Sequence, residues 1–401
     1  MKIFVRAQIA VVVMVVAVLA LAAVWLTGAS AGTVTVAQTT TKPVVSAAAM
    51  AEYRRALEAY NKVHDAYTAA ASAYWSAIAD KRKTRFAKRA RNEALVIDDY
   101  VLTQPPVYTG PPKPVDPSVP KVETPPPPSV PVVADFLNAA MQEYKFVPRR
   151  PQSEIEYKRA YARVAAAAGL TKEQAVRIYG FEASGNGAYD VQAGLEYNRP
   201  GAHAITTALG YNQLLTTNSV ELMAESGGKF LAILESEAKG LSNGQKAELE
   251  RTITVVRAMI AFARTVPDDW GQHEVLGNTP KGLATHAMNL DLNVGPLLQT
   301  QKLLDSIVYA HKKGYSQPLT AAELEMMNLT GDGNGFDMVL MPLDWRSQVP
   351  TANFFQRSGY SHNPVAQRNN VVATLIGATN AVMDSATKKQ GAKDLAAVFP
   401  N

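Results

Sequence analysis

From about Ala134 to the C-terminus, apolar residues recur at spacings of three and four. No stretch alternates apolar with polar residues for long enough to build a substantial sheet. The pattern predicts a mainly α domain. Its helix starts are marked locally: Ser153 with Glu156, Thr171 with Gln174, and Thr320 with Glu323 each read as a cap that opens a helix. Gly169 closes the first of these, and Gly185 and Gly187 stop the second. A further helix from about Val294 to Lys313 places Leu297, Leu304, Ile307 and Val308 on one face and ends on Lys312, Lys313 and Gly314.

The first third follows other rules. Lys2 and Arg6 precede an apolar run from Ile9 to Leu26, and Ala29-Ser30-Ala31 follows it. This reads as a secretory signal cleaved after Ala31, or as an uncleaved membrane anchor; either sends the rest of the chain out of the cytoplasm. From Met50 to Asn92 one long helix is predicted, with Tyr53, Tyr60, Tyr67 and Tyr74 every seven residues. Such a stripe wants a covering partner, either a second copy in a coiled coil through 50–92 or the chain's own domain. The basic run from Lys81 to Arg91 reads as a solvated face of that helix, able to lie on a membrane surface or an anionic polymer. Prolines then crowd between Gln104 and Val132, which predicts a stiff spacer without a core. The chain thus divides into a signal or anchor (1–31), a linker (32–49), the long helix (50–100), the spacer (101–133) and the helical domain (134–401).

Composition narrows the chemistry. The 401 residues include no cysteine, so disulfides and thiolate chemistry are excluded. A net charge of +5 suits an anionic polymer such as a cell wall, but nothing suits base readout, so no nucleic-acid partner is expected. The histidines show no metal-ligand spacing, and the calcium-like run Asp332-Gly333-Asn334-Gly335-Phe336-Asp337 lacks the glycine at its sixth position and an acid at its twelfth. No metal and no cofactor are expected.

Glu182 is the residue that carries chemistry. Counting back three, four and seven positions gives Tyr179, Ile178 and Ala175, so the acid lies on the apolar stripe at a helix end, ahead of a glycine turn. Lost hydration and the negative helix terminus both disfavour its charge, which suits a group that donates a proton near neutral pH. Two readings stand side by side: a general acid, or a structural carboxylate at a helix end.

Downstream come Ala208-Leu209-Gly210-Tyr211-Asn212-Gln213, then Leu290-Asp291-Leu292-Asn293-Val294-Gly295, then Glu325-Met326-Met327-Asn328-Leu329-Thr330-Gly331. In this order, from about Leu170 to Gly335, the chain resembles the lysozyme-like lytic transglycosylases. The resemblance implies a lysozyme-like helical domain with an insertion at about 216–288, exported to the periplasm or cell envelope, acting on peptidoglycan glycan strands and forming 1,6-anhydro products. It implies Glu182 as the catalytic acid/base. It also implies Ser184, Gly210, Tyr211, Gln213, Asn293 and Asn328 as substrate-binding or site-supporting residues, with Asn293 opening the long helix. Ala183 and Met327 stand where the family carries serine and tyrosine. Two alternatives stay open: a non-catalytic glycan binder or envelope scaffold, and a hydrolysing lysozyme, for which Asp190 and Glu196 are the nearest second carboxylates.

Overall fold

The computed structural model describes residues 45–119, 129–195 and 200–400. The expected signal or anchor lies outside them, as does most of the linker. Among the described residues the protein is mainly helical: no strand forms, only isolated bridges such as Leu209 with Leu214, and no helix is long and apolar enough to cross a membrane.

The expected caps close as hydrogen bonds. Thr171 and Gln174 satisfy each other's backbone N–H at the start of α4 (Lys172–Glu182), and Thr320 and Glu323 do the same for α10 (Ala321–Thr330). Ser153 accepts from the Glu156 N–H to open α3 (Glu154–Ala167). The long helix α9 (Gly295–Lys312) departs from expectation. Its opening turn is held by Asp291, whose carboxylate accepts from the N–H groups of Asn293 and Val294 (2.9 and 3.1 Å), so Asn293 is capped and does not itself cap.

Three apolar clusters organise the chain. The first gathers Tyr157 and Tyr161 of α3, Ile178 and Tyr179 of α4, Leu324 and Met327 of α10, and Leu395 of α16 (Gln390–Val398). The second joins Met223 and Phe230 of α5 (Thr216–Ala238) to Val256 and Met259 of α6 (Asn243–Ala263) and to Leu297 and Leu298 of α9. Much of it therefore belongs to the stretch expected as an insertion, 216–288, which is helical and shares its core with α9. The third packs Tyr74 and Ile78 against Met326, Met338, Phe354 and Leu375.

Tyr74 and Ile78 belong to α1 (Ala47–Ala90), and here the basic run departs in part from the solvated face expected of it. The buried residues of α1 are Ala71, Tyr74, Ile78, Arg82 and Arg85, one stripe at helical spacing in which arginine continues the apolar side. Arg85, with no exposed side-chain surface, bonds the Asp337 carboxylate at 3.2 Å and the carbonyls of Asp99 and Asn353 at 3.0 and 2.9 Å. Arg89 adds a second ion pair to Asp337, Lys88 grips Asp99 at 2.7 Å, and Arg82 donates to the Phe355 carbonyl at 2.6 Å. One face of the run is a buried foot, because each of these cationic groups finds a carboxylate or carbonyl to replace its water, while Lys83 and Arg91 stay exposed. Asp337 lies in α11 (Asp332–Leu340), so the calcium-like run is helical and its last acid is spent on arginine.

The proline-rich stretch is also not a free spacer over its described part. It turns back along α1, where Tyr108 sits edge-on to Tyr60 and Tyr67 at centroid distances of 6.1 and 5.4 Å. Tyr100 is buried beneath the Arg85 guanidinium, and Gln104 donates to the Asn370 carbonyl. The tyrosine stripe is thus covered, in part, by its own chain.

Candidate active site

Two helices bring the site together. Gln174, besides capping α4, donates to the Leu319 carbonyl at 2.7 Å, which pins the start of α4 to the approach of α10. At the other end, Tyr179 donates to the Gly187 carbonyl at 2.8 Å and so fixes the turn that follows Glu182. Ala175, Ile178 and Tyr179 are fully buried, and Glu182, on the same stripe, is the last residue of α4 and keeps part of its surface exposed.

The residue that meets it is Asn328, whose Nδ2 donates to Glu182 Oε1 at 2.8 Å. One turn earlier on α10 stands Glu325. It is 1% exposed, and its carboxyl is in hydrogen-bonding contact with that of Glu182. Burial raises Glu182 to about 7, and the bonds from Glu325 and Asn328 and the nearby Lys302 ammonium keep it from rising further. Burial and the neighbouring Glu182 push Glu325 well above the usual carboxylate range. Glu325 was not singled out from sequence. The signal was present, since a residue three before Asn328 on a helix shares its face.

Lys302, half-buried on α9, faces more than this pair. Its charge also acts on Glu221 of α5, on Asp305 and on Asp332. Asp305 takes a bond from Gln301 and Asp332 takes one from Ser306. Glu221, buried among these acids, is raised to about 7 by loss of water, with Lys302 opposing the rise.

The other expected site residues are placed differently. Gly210 and Gln213 close a tight turn on which Leu209 and Leu214 exchange backbone bonds of 2.9 and 3.0 Å. Gln213 spends its amide donor on the carbonyls of Val191 and Gly210 (3.1 and 2.8 Å), so the group expected to reach a sugar is committed to its own turn. Tyr211, expected at the groove, has no exposed surface. Its ring is sandwiched edge-on among Tyr157, Tyr161 and Tyr179, and its hydroxyl bonds Glu154. Ser184 adopts φ 57° and offers its carbonyl to Lys389 at 2.6 Å. Asn293 is part-exposed beyond the Asp291 cap.

What fixes that turn is Asn212, which the sequence did not mark. Its backbone N–H and its side-chain amide both bond Gln299 of α9 at 2.7 Å. Gln299 in turn bonds Asn289, which bonds Ser219 and the backbone carbonyl of His286. Burial lowers His286 to about 4, so this network is neutral at physiological pH. Of the rival carboxylates, Asp190 is paired with Arg150 at 2.6 Å, and Glu196 lies outside the described residues. Among the described residues no cluster of acids and histidines is arranged to hold a metal ion.

No family model, curated protein or solved structure matches the chain significantly.

Proposed function

We propose that the protein is a lytic transglycosylase of peptidoglycan, with Glu182 as its general acid and base. The observation that carries the reading is Glu182 itself: a partly exposed residue at a helix end, its carboxyl raised to about 7 by burial and steadied by Asn328. A group poised there is half protonated near neutrality, the condition for giving a proton and then taking one. Glu182 protonates the glycosidic oxygen as the bond to the anomeric carbon breaks, with the substrate's acetamido group supporting the cation. The carboxylate then accepts the C6 hydroxyl proton while that oxygen closes the 1,6-anhydro ring, which restores the acid.

Hydrolysis by two flanking carboxylates is less favoured. Glycosidases hold such a pair about 5 to 9.5 Å apart to admit the sugar or a water. Glu325 touches Glu182 and leaves no such gap. A second reading, a non-catalytic glycan binder, is favoured by Ala183 and Met327, both buried and both without the hydroxyl that the resembled family carries at those places.

Mass spectrometry of muropeptides after digestion of peptidoglycan separates the readings. Anhydro ends are expected from the wild type, and a loss of roughly a hundredfold or more from Glu182→Gln. Reducing ends would mean hydrolysis. Binding without any product would mean the non-catalytic module.

A further inference from the structure

We propose that Glu325 is a positioning residue that works as a neutral acid: it keeps its proton throughout and through it donates a hydrogen bond to Glu182, which it holds together with Asn328. This rests on the reading of Glu182 as the acid/base and adds how that residue survives as a carboxylate at a largely desolvated helix end. Glu182 closes α4, where the unpaired carbonyls of the last turn repel a negative charge. A carboxylate left there after giving up its proton needs donors, and Asn328 supplies one at 2.8 Å.

The second donor follows from where Glu325 lies. Two like charges in contact in an apolar setting cannot both persist, so the pair keeps at least one proton. Of the two, Glu325 is 1% exposed whereas Glu182 still meets solvent, so desolvation leaves the proton on Glu325. Its Oε2 is fully buried and receives no hydrogen bond. An ionised carboxylate would strand that oxygen, whereas a protonated one turns the group into a donor facing Glu182. The charged group acting on the pair from α9 is Lys302, which supports negative charge on either acid, and the acids Glu221, Asp305 and Asp332 around Lys302 compete for it. Through one catalytic cycle Glu325 gains and loses nothing. The proton leaving Glu182 goes to the glycosidic oxygen, and its replacement comes from the C6 hydroxyl.

Carboxyl titration by carbon NMR on glutamate-labelled protein tests this without substrate, with Glu182 assigned through Glu182→Gln. Glu325→Gln keeps a neutral donor and should leave the Glu182 midpoint within about half a pH unit. Glu325→Met removes the donor and should move it upward by about one unit or more. A drop of more than about one unit in Glu325→Gln would show that Glu325 had been charged, and would overturn the proposal. An unmoved midpoint in a folded Glu325→Met would overturn it as well. Should Glu325→Met fail to fold by circular dichroism, the Glu325→Gln midpoint decides alone. Muropeptide release measured alongside keeps the two claims apart. A wild type with these midpoints but no anhydro product overturns the glycan reading and leaves the carboxyl pair standing.

Discussion

Each buried charge in this chain has its own means of survival, and substitution of each reads out differently. Asp337 is neutralised by Arg85 and Arg89. Replacing it by alanine leaves Arg85 without a counter-charge in the interior, so urea denaturation should show a loss of about 3 to 5 kcal/mol. Glu221 makes no such ion pair among the described residues, feels only the nearby Lys302 charge, and is raised to about 7 from a usual value of 4.5. A carboxyl raised in the folded state contributes stability that is complete below 4.5 and lost as pH climbs through 7. Glu221→Gln should therefore match the wild type near pH 4 and exceed it by up to about 3 kcal/mol at pH 8, as read by melting across that range. Glu182 was legible in the sequence because counting along one helix places it on the apolar stripe. Glu325 was not, because its significance comes from a residue more than a hundred positions away. Arg82 and Arg85 misled for a related reason: in a run dense with lysine and arginine the buried positions differ from the exposed ones only in what the rest of the fold brings to them.

At the level of elements, the features legible in the sequence were the local ones. Caps at Ser153, Thr171 and Thr320 involve partners three residues apart, so the sequence displays both halves of each bond. Turns fixed by distant partners were not visible as such. Gly210 adopts φ 84°, and a Cβ there would stand 2.5 Å from the Gln299 Nε2, a side chain held by Asn212, Leu209 and Asn289. Gly210→Ala should cost about 2 kcal/mol or more through backbone strain and a displaced Gln299, measured by thermal unfolding. The proline-rich return makes a different kind of contact, stacking at the edge of a helix that is itself largely exposed. Tyr108→Ala should lose about 1 kcal/mol of aromatic contact, enough to speed limited proteolysis between residues 104 and 119 while leaving the main melting transition in place. An unchanged cleavage rate would mean that the return is held by its other contacts, such as Thr103 with Tyr74 and Gln104 with Asn370.

Over the whole molecule, the first and third clusters meet along α10, which sends Met327 to the first and Met326 to the third and presents Glu325 and Asn328 to the end of α4. That arrangement explains why so much of the chain bears on so small a site. α11 crosses α10 so closely that a Cβ at Gly335 would strike the Met327 backbone, and α11 is also the element that carries Asp337 to the foot of α1. The foot therefore has a mechanical consequence. α1 is 44 residues long, about 66 Å at 1.5 Å per residue, and its buried stripe begins only at Ala71. The part before that is a cantilever of about 36 Å, clamped at one end by ion pairs and braced along its side by the proline-rich return, through Tyr108 and Gly110. Leverage follows from length: one degree of tilt at the clamp carries the tip by about 0.6 Å. The tip of the helix at Ala47 thus has its bearing on the carboxyl pair set by a handful of arginine and lysine side chains at the far end of the beam.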